Sequence, residues 1–237
     1  MFNLKEKFEF LEDGIDFPFY NDKPKLAVWE WGIIAVALII FIILCSIKGI
    51  PKTIHALLYF FVMIIPVIYI CRGKLSIFFK MPKLKNIKTI ILCTLGSIVY
   101  GVIMGAILKF SGYPVVGNAN TALATNISFF ADLFIQLVGE EFFKILLLLI
   151  LMYVVYRYTE NRSLSLWIGI IGTLTIFGLA HTEAYGGRVL QVLLIQGFGS
   201  IFDLYAYMKT KNIVVSYIVH ILIDLTGFLL PSLSHLC

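Results

Sequence analysis

The stretch 131–150, ADLFIQLVGEEFFKILLLLI, sets two demands against each other. It is long and apolar enough to enter a bilayer, whose hydrocarbon core takes about 20 residues of helix. Yet Asp132, Gln136, Glu140 and Lys144 recur in it every four residues, on one helical stripe, with Glu141 about 100° round the axis. An ionisable side chain at bilayer depth costs at least about 2.5 kcal/mol on insertion scales, so each needs a partner, a watery cavity or a chemical task. The segment therefore reads as a membrane helix whose polar stripe faces other helices.

The rest of the chain agrees. Of 237 residues, 60% are hydrophobic and 14% charged, against about 25% charged in a soluble domain. Secreted, cytosolic and nucleic-acid-binding readings are thereby excluded. Apolar runs at 26–47, 53–71, 89–110, 127–156, 164–180, 189–208 and 213–230 predict an all-α, polytopic transmembrane helix bundle of about seven transmembrane helices. No internal repeat stands out. The four cysteines, Cys45, Cys71, Cys93 and Cys237, have neither disulfide-framework nor zinc-ribbon spacing.

The net charge of +5 is a topology signal before it is a partner signal. Fourteen Lys and Arg fall in the N-terminal segment and in the connections before the third, fifth and seventh helices. Lys48, Lys52, Lys109 and Arg188 fall on the opposite side, and Lys144 lies within a helix. That asymmetry predicts a cytoplasmic N-terminus and an outside C-terminus. Residues 1–25 lack the apolar core of a signal peptide, so the first hydrophobic segment is expected to stay as an anchor. The run RGKLSIFFKMPKLKNIK, 72–88, reads either as a segment lying on the inner leaflet or as a solvated basic loop. The uncharged loop 111–125 reads as a lateral gate or a turn.

Ionisable residues cluster in the last four helices. The fifth helix ends in FGLAHTEAYGG with His181 and Glu183, and the seventh holds His220 and Asp224, four apart on one face. Gly197 and Gly199 in the sixth allow close helix approach. His55 and His235 near helix ends are expected to be interhelical hydrogen-bonders, and Asp132 and Asp203 interfacial groups. Lys144 reads as an ion-pair partner of Glu140 or Glu141.

Adjacent carboxylates in an apolar surround repel each other's charge, which suits one of them to general-base work. Glu140 with a nearby histidine can draw a proton from water and aim the nucleophile at a carbonyl, with His220 and Asp224 on the oxyanion side. An ionised Asp224 would instead orient His220, since a carboxylate only accepts hydrogen bonds. The same groups also fit a metal site, with Glu140, His181 and His220 as ligands of a Zn ion. Against tight zinc binding, there is no HExxH or other paired-histidine spacing on one helix.

Glu140-Glu141, Phe177-x-x-x-His181 and His220-x-x-x-Asp224, in that order at helix-sized spacing, resemble the CPBP intramembrane proteases, the family of type II CAAX prenyl endopeptidases and Abi-type bacteriocin-processing or immunity proteins. The resemblance spans 131–228. It implies that Glu140 is the catalytic base, His181 its partner on water, His220 and Asp224 the oxyanion side, and Glu141 a supporting acid. The family has been described both as metal-dependent and as a group of glutamate proteases; no cofactor is firmly expected. Two departures stand out: the family's Glu-Glu-x-x-x-Arg places its base where this chain has Ile145, with Lys144 one residue early, and Asp224 stands where CAAX enzymes carry Asn. The expectation is a multi-pass protein, with a cytoplasmic segment at 1–25, N-terminal membrane helices at 26–125 and a CPBP-like catalytic core at 126–237. It would sit in a bacterial cell membrane and hydrolyse a peptide or membrane-protein substrate. The rival reading is a non-catalytic bacteriocin-immunity or binding protein. Proton-coupled transport is disfavoured by the lack of an inverted repeat.

Overall fold

The computed structural model describes Phe10, residues 15–118 and residues 126–229. His235, Cys237, residues 119–125 of the uncharged loop and most of the first fourteen residues lie outside these. Among the described residues there is no strand, and seven principal helices appear: α1 Val28–Ser46, α2 Lys52–Cys71, α3 Leu84–Phe110, α4 Ile127–Thr159, α5 Arg162–Ala180, α6 Val189–Thr210 and α7 Ile213–Leu229. Five of them, α1, α2, α3, α5 and α6, are long and apolar enough to cross a membrane. The protein is a multi-pass membrane helix bundle, as the apolar runs predict. α3 starts five residues earlier than its apolar window because a polar turn precedes it, closed by Asn86 Oδ1 accepting from the Lys83 amide at 2.7 Å.

α4 is the axis of the bundle. Every residue from Gly139 to Leu149 is buried, the mark of a helix enclosed on all sides. α2, α5 and α7 pack around it, while α1 and α3 turn Ile39, Ile43, Leu92, Leu95 and Val99 outward. Such exposed aliphatic rows suit a lipid surround, because lipid tails solvate them as well as a protein core does. Two close approaches need glycine. A Cβ on Gly139 would stand 2.5 Å from the Tyr59 carbonyl oxygen, so α2 reaches the Glu140 level only because that carbon is missing. Gly197 similarly meets Leu174 O and Gly178 across the α5–α6 crossing, whereas a Cβ at Gly199 would make only ordinary contacts with Tyr100. Gly197 lies in a wide π turn, Val192–Gly197, within α6.

Two tight antiparallel hairpins set the heights of the side chains. α4 and α5 turn at Glu160 and Asn161, where Asn161 Oδ1 accepts from the Leu164 amide at 3.0 Å. α6 and α7 turn at Lys211 and Asn212, both only 3% exposed. That second turn is recessed and covered. Asn212 exchanges two hydrogen bonds with the Lys80 backbone, and the Ile213 amide donates to Phe78 O at 2.9 Å. Lys211 Nζ donates to Phe10 O at 2.6 Å and also to Met208 O, and lies 4.0 Å over the Phe17 ring. Phe17, Phe19 and Tyr20, from the N-terminal segment, are buried.

Asp16 anchors this cover. It accepts two hydrogen bonds from Arg162 Nε, a third from Arg162 Nη2 at 2.7 Å and one from Tyr20 Oη at 2.7 Å. Burial works to raise its pKa, but the hydrogen bonds from Arg162, Tyr20 and the Phe17 amide outweigh it and hold the carboxyl below its ordinary value.

Candidate functional site

Glu140 is twenty residues before Glu160, and His181 twenty residues after Asn161. An antiparallel hairpin therefore brings them to one height, about 30 Å from the turn at 1.5 Å per residue. His181 follows the last residue of α5, yet its Nε2 lies 3.9 Å from Glu140 Oε2. The two meet because the helices differ in length: α5, of 19 residues, ends at the Glu140 level, while α4, of 33, continues past it.

The second hairpin works the same way. Asp203 is eight residues before Lys211, and His220 eight after Asn212. Because their turn is recessed into the bundle, both reach the level of α4's polar stripe. His220 Nε2 lies 3.9 Å from Glu140 Oε2 and 3.8 Å from Asp224 Oδ1.

Hydrogen bonds on the far side of each ring fix what faces the centre. His181 Nδ1 lies 2.8 Å from Phe177 O, and since a carbonyl only accepts, Nδ1 carries the proton and Nε2 faces Glu140. The Phe177 ring packs edge-on to His181, with centroids 4.6 Å apart. His220 Nδ1 donates to Glu141 Oε1 at 2.8 Å, which aims its Nε2 at Glu140 and Asp224. Gln136 Nε2 donates to Glu140 Oε1 at 2.7 Å, leaving Oε2 toward the imidazoles. At 3.8–3.9 Å these inner atoms are too far apart for direct hydrogen bonds and spaced for a small bridging molecule.

Lys144 pairs with Glu141, not with Glu140: Nζ lies 2.5 Å from Glu141 Oε1 and touches Asp203 Oδ2. It is also 3.4 Å from His220 Nδ1. Asp203, expected at the membrane interface, is 1% exposed and belongs to this network. Sequence reasoning missed it for want of the matching hairpin count about Lys211 and Asn212. Asp132 is buried too, but accepts from Thr53 Oγ1 at 3.0 Å, apart from the cluster. His55 is the expected interhelical bonder, donating Nε2–H to Leu44 O at 2.9 Å, and also lines the cavity described next. Glu183 pairs with Lys48 at the surface, at 2.7 Å.

Glu140, His181, His220 and Asp224 line one cavity of about 550 Å³, walled by Tyr59, Phe129 and others. Its volume suits a peptide segment, and its apolar lining with a few converging polar groups is that of a binding site.

The buried group Glu141, Asp203 and His220 offers donor atoms within 4.8 Å of one another and by donor type could hold a metal ion. The ammonium of Lys144 already stands against all three, so a divalent ion there would have to displace it. Glu140 Oε2 lies 3.9 Å from both His181 Nε2 and His220 Nε2, and by donor type a carboxylate and two imidazoles are zinc ligands.

No curated protein and no solved structure matches the chain. A protein-family match covers residues 121–226, from just before α4 into α7, and its description is type II CAAX prenyl endopeptidase Rce1-like. It takes in every residue of the cluster around the cavity's polar end and leaves out α1–α3. Over 121–226 the chain is therefore similar to the Rce1-like type II CAAX prenyl endopeptidases, which is consistent with the CPBP intramembrane protease family.

Proposed function

We propose that the protein hydrolyses a peptide bond in or next to the membrane with water activated by Glu140 and His181. The observation that carries this reading is that Glu140 Oε2 lies 3.9 Å from both His181 Nε2 and His220 Nε2 at the cavity wall, each side chain backed by a hydrogen bond that fixes its orientation. A water bridging Glu140 and His181 gives its proton to Glu140 as its oxygen bonds to the scissile carbonyl carbon. The charge moves to the carbonyl oxygen, on the side of the cavity where His220 Nε2 and Asp224 Oδ1 stand 3.8 Å apart. Glu140 then hands its proton to the leaving nitrogen as the C–N bond breaks. Glu141 and Lys144 hold His220 from behind. Should a metal serve the site, Glu140, His181 and His220 are the residues that would hold it, and it would supply Lewis-acid polarisation of water or carbonyl.

By the charge asymmetry of its loops, the N-terminus lies in the cytoplasm. The substrate is a peptide or membrane protein whose cleavage site reaches the cavity, with prenylated CAAX-type proteins the first class to test.

The test is to profile new N-termini in membranes from cells making wild-type or Glu140→Gln protein at equal levels. Termini that appear only with the wild type support the reading and give the cleavage sequence. Identical profiles overturn it in favour of a binding role such as bacteriocin immunity.

A further inference from the structure

Lys144 sits one residue before the position where the family motif carries its Arg, which turns it about 100° round α4. That rotation points it at α6 and α7 and creates a problem at the site. Lys144 Nζ is 3.4 Å from His220 Nδ1 and 2.5 Å from Glu141 Oε1, the oxygen that must accept the proton on that same Nδ1. An ammonium with three hydrogens in that place has two ways to disrupt the histidine. It can take Glu141 Oε1 for itself, or donate to Nδ1 and force the proton onto the other nitrogen.

Asp203 stands beside the ammonium, with its Oδ2 3.9 Å from His220 Nδ1. It is 1% exposed, contacts Lys144 through Oδ2, and its Oδ1 has no hydrogen-bond partner. A carboxylate left half-satisfied in the interior is expensive and calls for a reason. The π turn Val192–Gly197 lies one to two turns upstream in α6, an irregularity that resets which side chains face inward below it.

Resting on the reading of this cavity as the catalytic site, we infer that Asp203 is a positioning residue: by pairing with the Lys144 ammonium beside His220 Nδ1 it occupies that donor, leaving Glu141 to accept from that nitrogen and Nε2 to face Glu140. It does not touch the reacting atoms. It answers the displaced base of this chain's motif, since a base in the family's position would leave α4 in another direction.

Two readouts test this. The first is hydrolysis of a quenched-fluorescence farnesylated peptide with a CAAX terminus, by purified full-length protein in detergent. Asp203→Asn is expected to lower kcat about ten- to a hundredfold with KM nearly unchanged, and Asp203→Glu to recover most of it. With Lys144→Met already present, Asp203→Asn should lower kcat no further, because the ammonium it restrains is gone. The second readout needs no substrate. In ¹⁵N-histidine-labelled protein, with His220 assigned by its loss in His220→Ala, Nδ1 should be protonated in the wild type and lose that character in Asp203→Asn. An unchanged kcat in Asp203→Asn, an equal loss in the Lys144→Met background, or an unchanged His220 Nδ1 signal overturns the inference. Glu140→Gln separates the two levels. If it is inactive while Asp203→Asn is unimpaired, only the role of Asp203 fails. If Glu140→Gln still cleaves the peptide, the mechanism fails, and the ¹⁵N signal alone then decides whether Asp203 sets His220.

Discussion

Replacing Gly139 with alanine adds one methyl group at the point where α2 crosses α4. That carbon would lie 2.5 Å from Tyr59 O, 2.6 Å from Tyr59 C and 3.1 Å from Phe60 N, all backbone atoms that no rotamer change can remove. Ordinary contact begins near 3.4 Å, so the helices must separate by roughly 0.9 Å there. Overpacking of this kind costs about 1–3 kcal/mol, or several degrees of Tm in a chain of this size. Since Glu140 is the next residue and Tyr59 shares its cavity, the shift also misplaces the base, and a misplacement near 1 Å lowers turnover by about a hundredfold. Gly32→Ala in α1 is the control: nothing lies within 4 Å of its added carbon, so the better helix propensity of alanine should leave Tm equal or slightly raised. The assay is thermal unfolding in detergent together with peptide hydrolysis at 25 °C. A Gly139→Ala protein matching Gly32→Ala in both would refute the claim that a direct backbone contact sets the α2–α4 distance.

Asp16→Asn should lose about 2 kcal/mol at neutral pH, from the charge-assisted bonds to Arg162. Because the folded Asp16 pKa lies below its ordinary value, that stability is present above about pH 4 and is lost as pH falls through the folded value; Tm curves of wild type and variant should therefore converge in acid. Lys144→Met leaves Glu141 and Asp203 buried without their cation and should lower stability by about 3–5 kcal/mol, read as lost folded yield and lower Tm. His181→Ala removes a side chain that is 23% exposed at a helix end, so Tm should hardly move while kcat falls by at least about a hundredfold.

The seven helices were legible because each is an apolar run with a turn at either end. The site was legible in its members but not in its depth. Glu140, His181, His220 and Asp224 were identified from residue type and spacing, and they do line one cavity. Their heights depend on how neighbouring helices align, and hydropathy does not say this: it placed the end of α5 at residue 180, as found, but not that α4 runs on beyond that level. Counting outward from Asn161 would have resolved it. Asp203 was misread for the complementary reason. Its place near the cytoplasmic end of its helix suggested an interfacial group, whereas that end is covered and Lys211 satisfies its ammonium on Phe10 O, Met208 O and the Phe17 ring.

That recessed turn links the two halves of the chain. Measured from their turns, Glu140 lies about 30 Å along α4 and His220 about 12 Å along α7, at 1.5 Å per residue. For the two to meet, the α6–α7 turn must lie well inside the level of the α4–α5 turn. A turn so deep exposes backbone groups and a lysine where water is scarce, and those groups need protein partners. The N-terminal segment and the connection between α2 and α3 supply them, through Phe10, Phe17, Phe78 and Lys80. Phe10, Phe17, Phe78 and Lys80, outside the family-like region, thus pack onto it. They close the space that the short α6–α7 hairpin leaves open, and the Asp16–Arg162 pair ties the N-terminal segment to the helix that His181 caps.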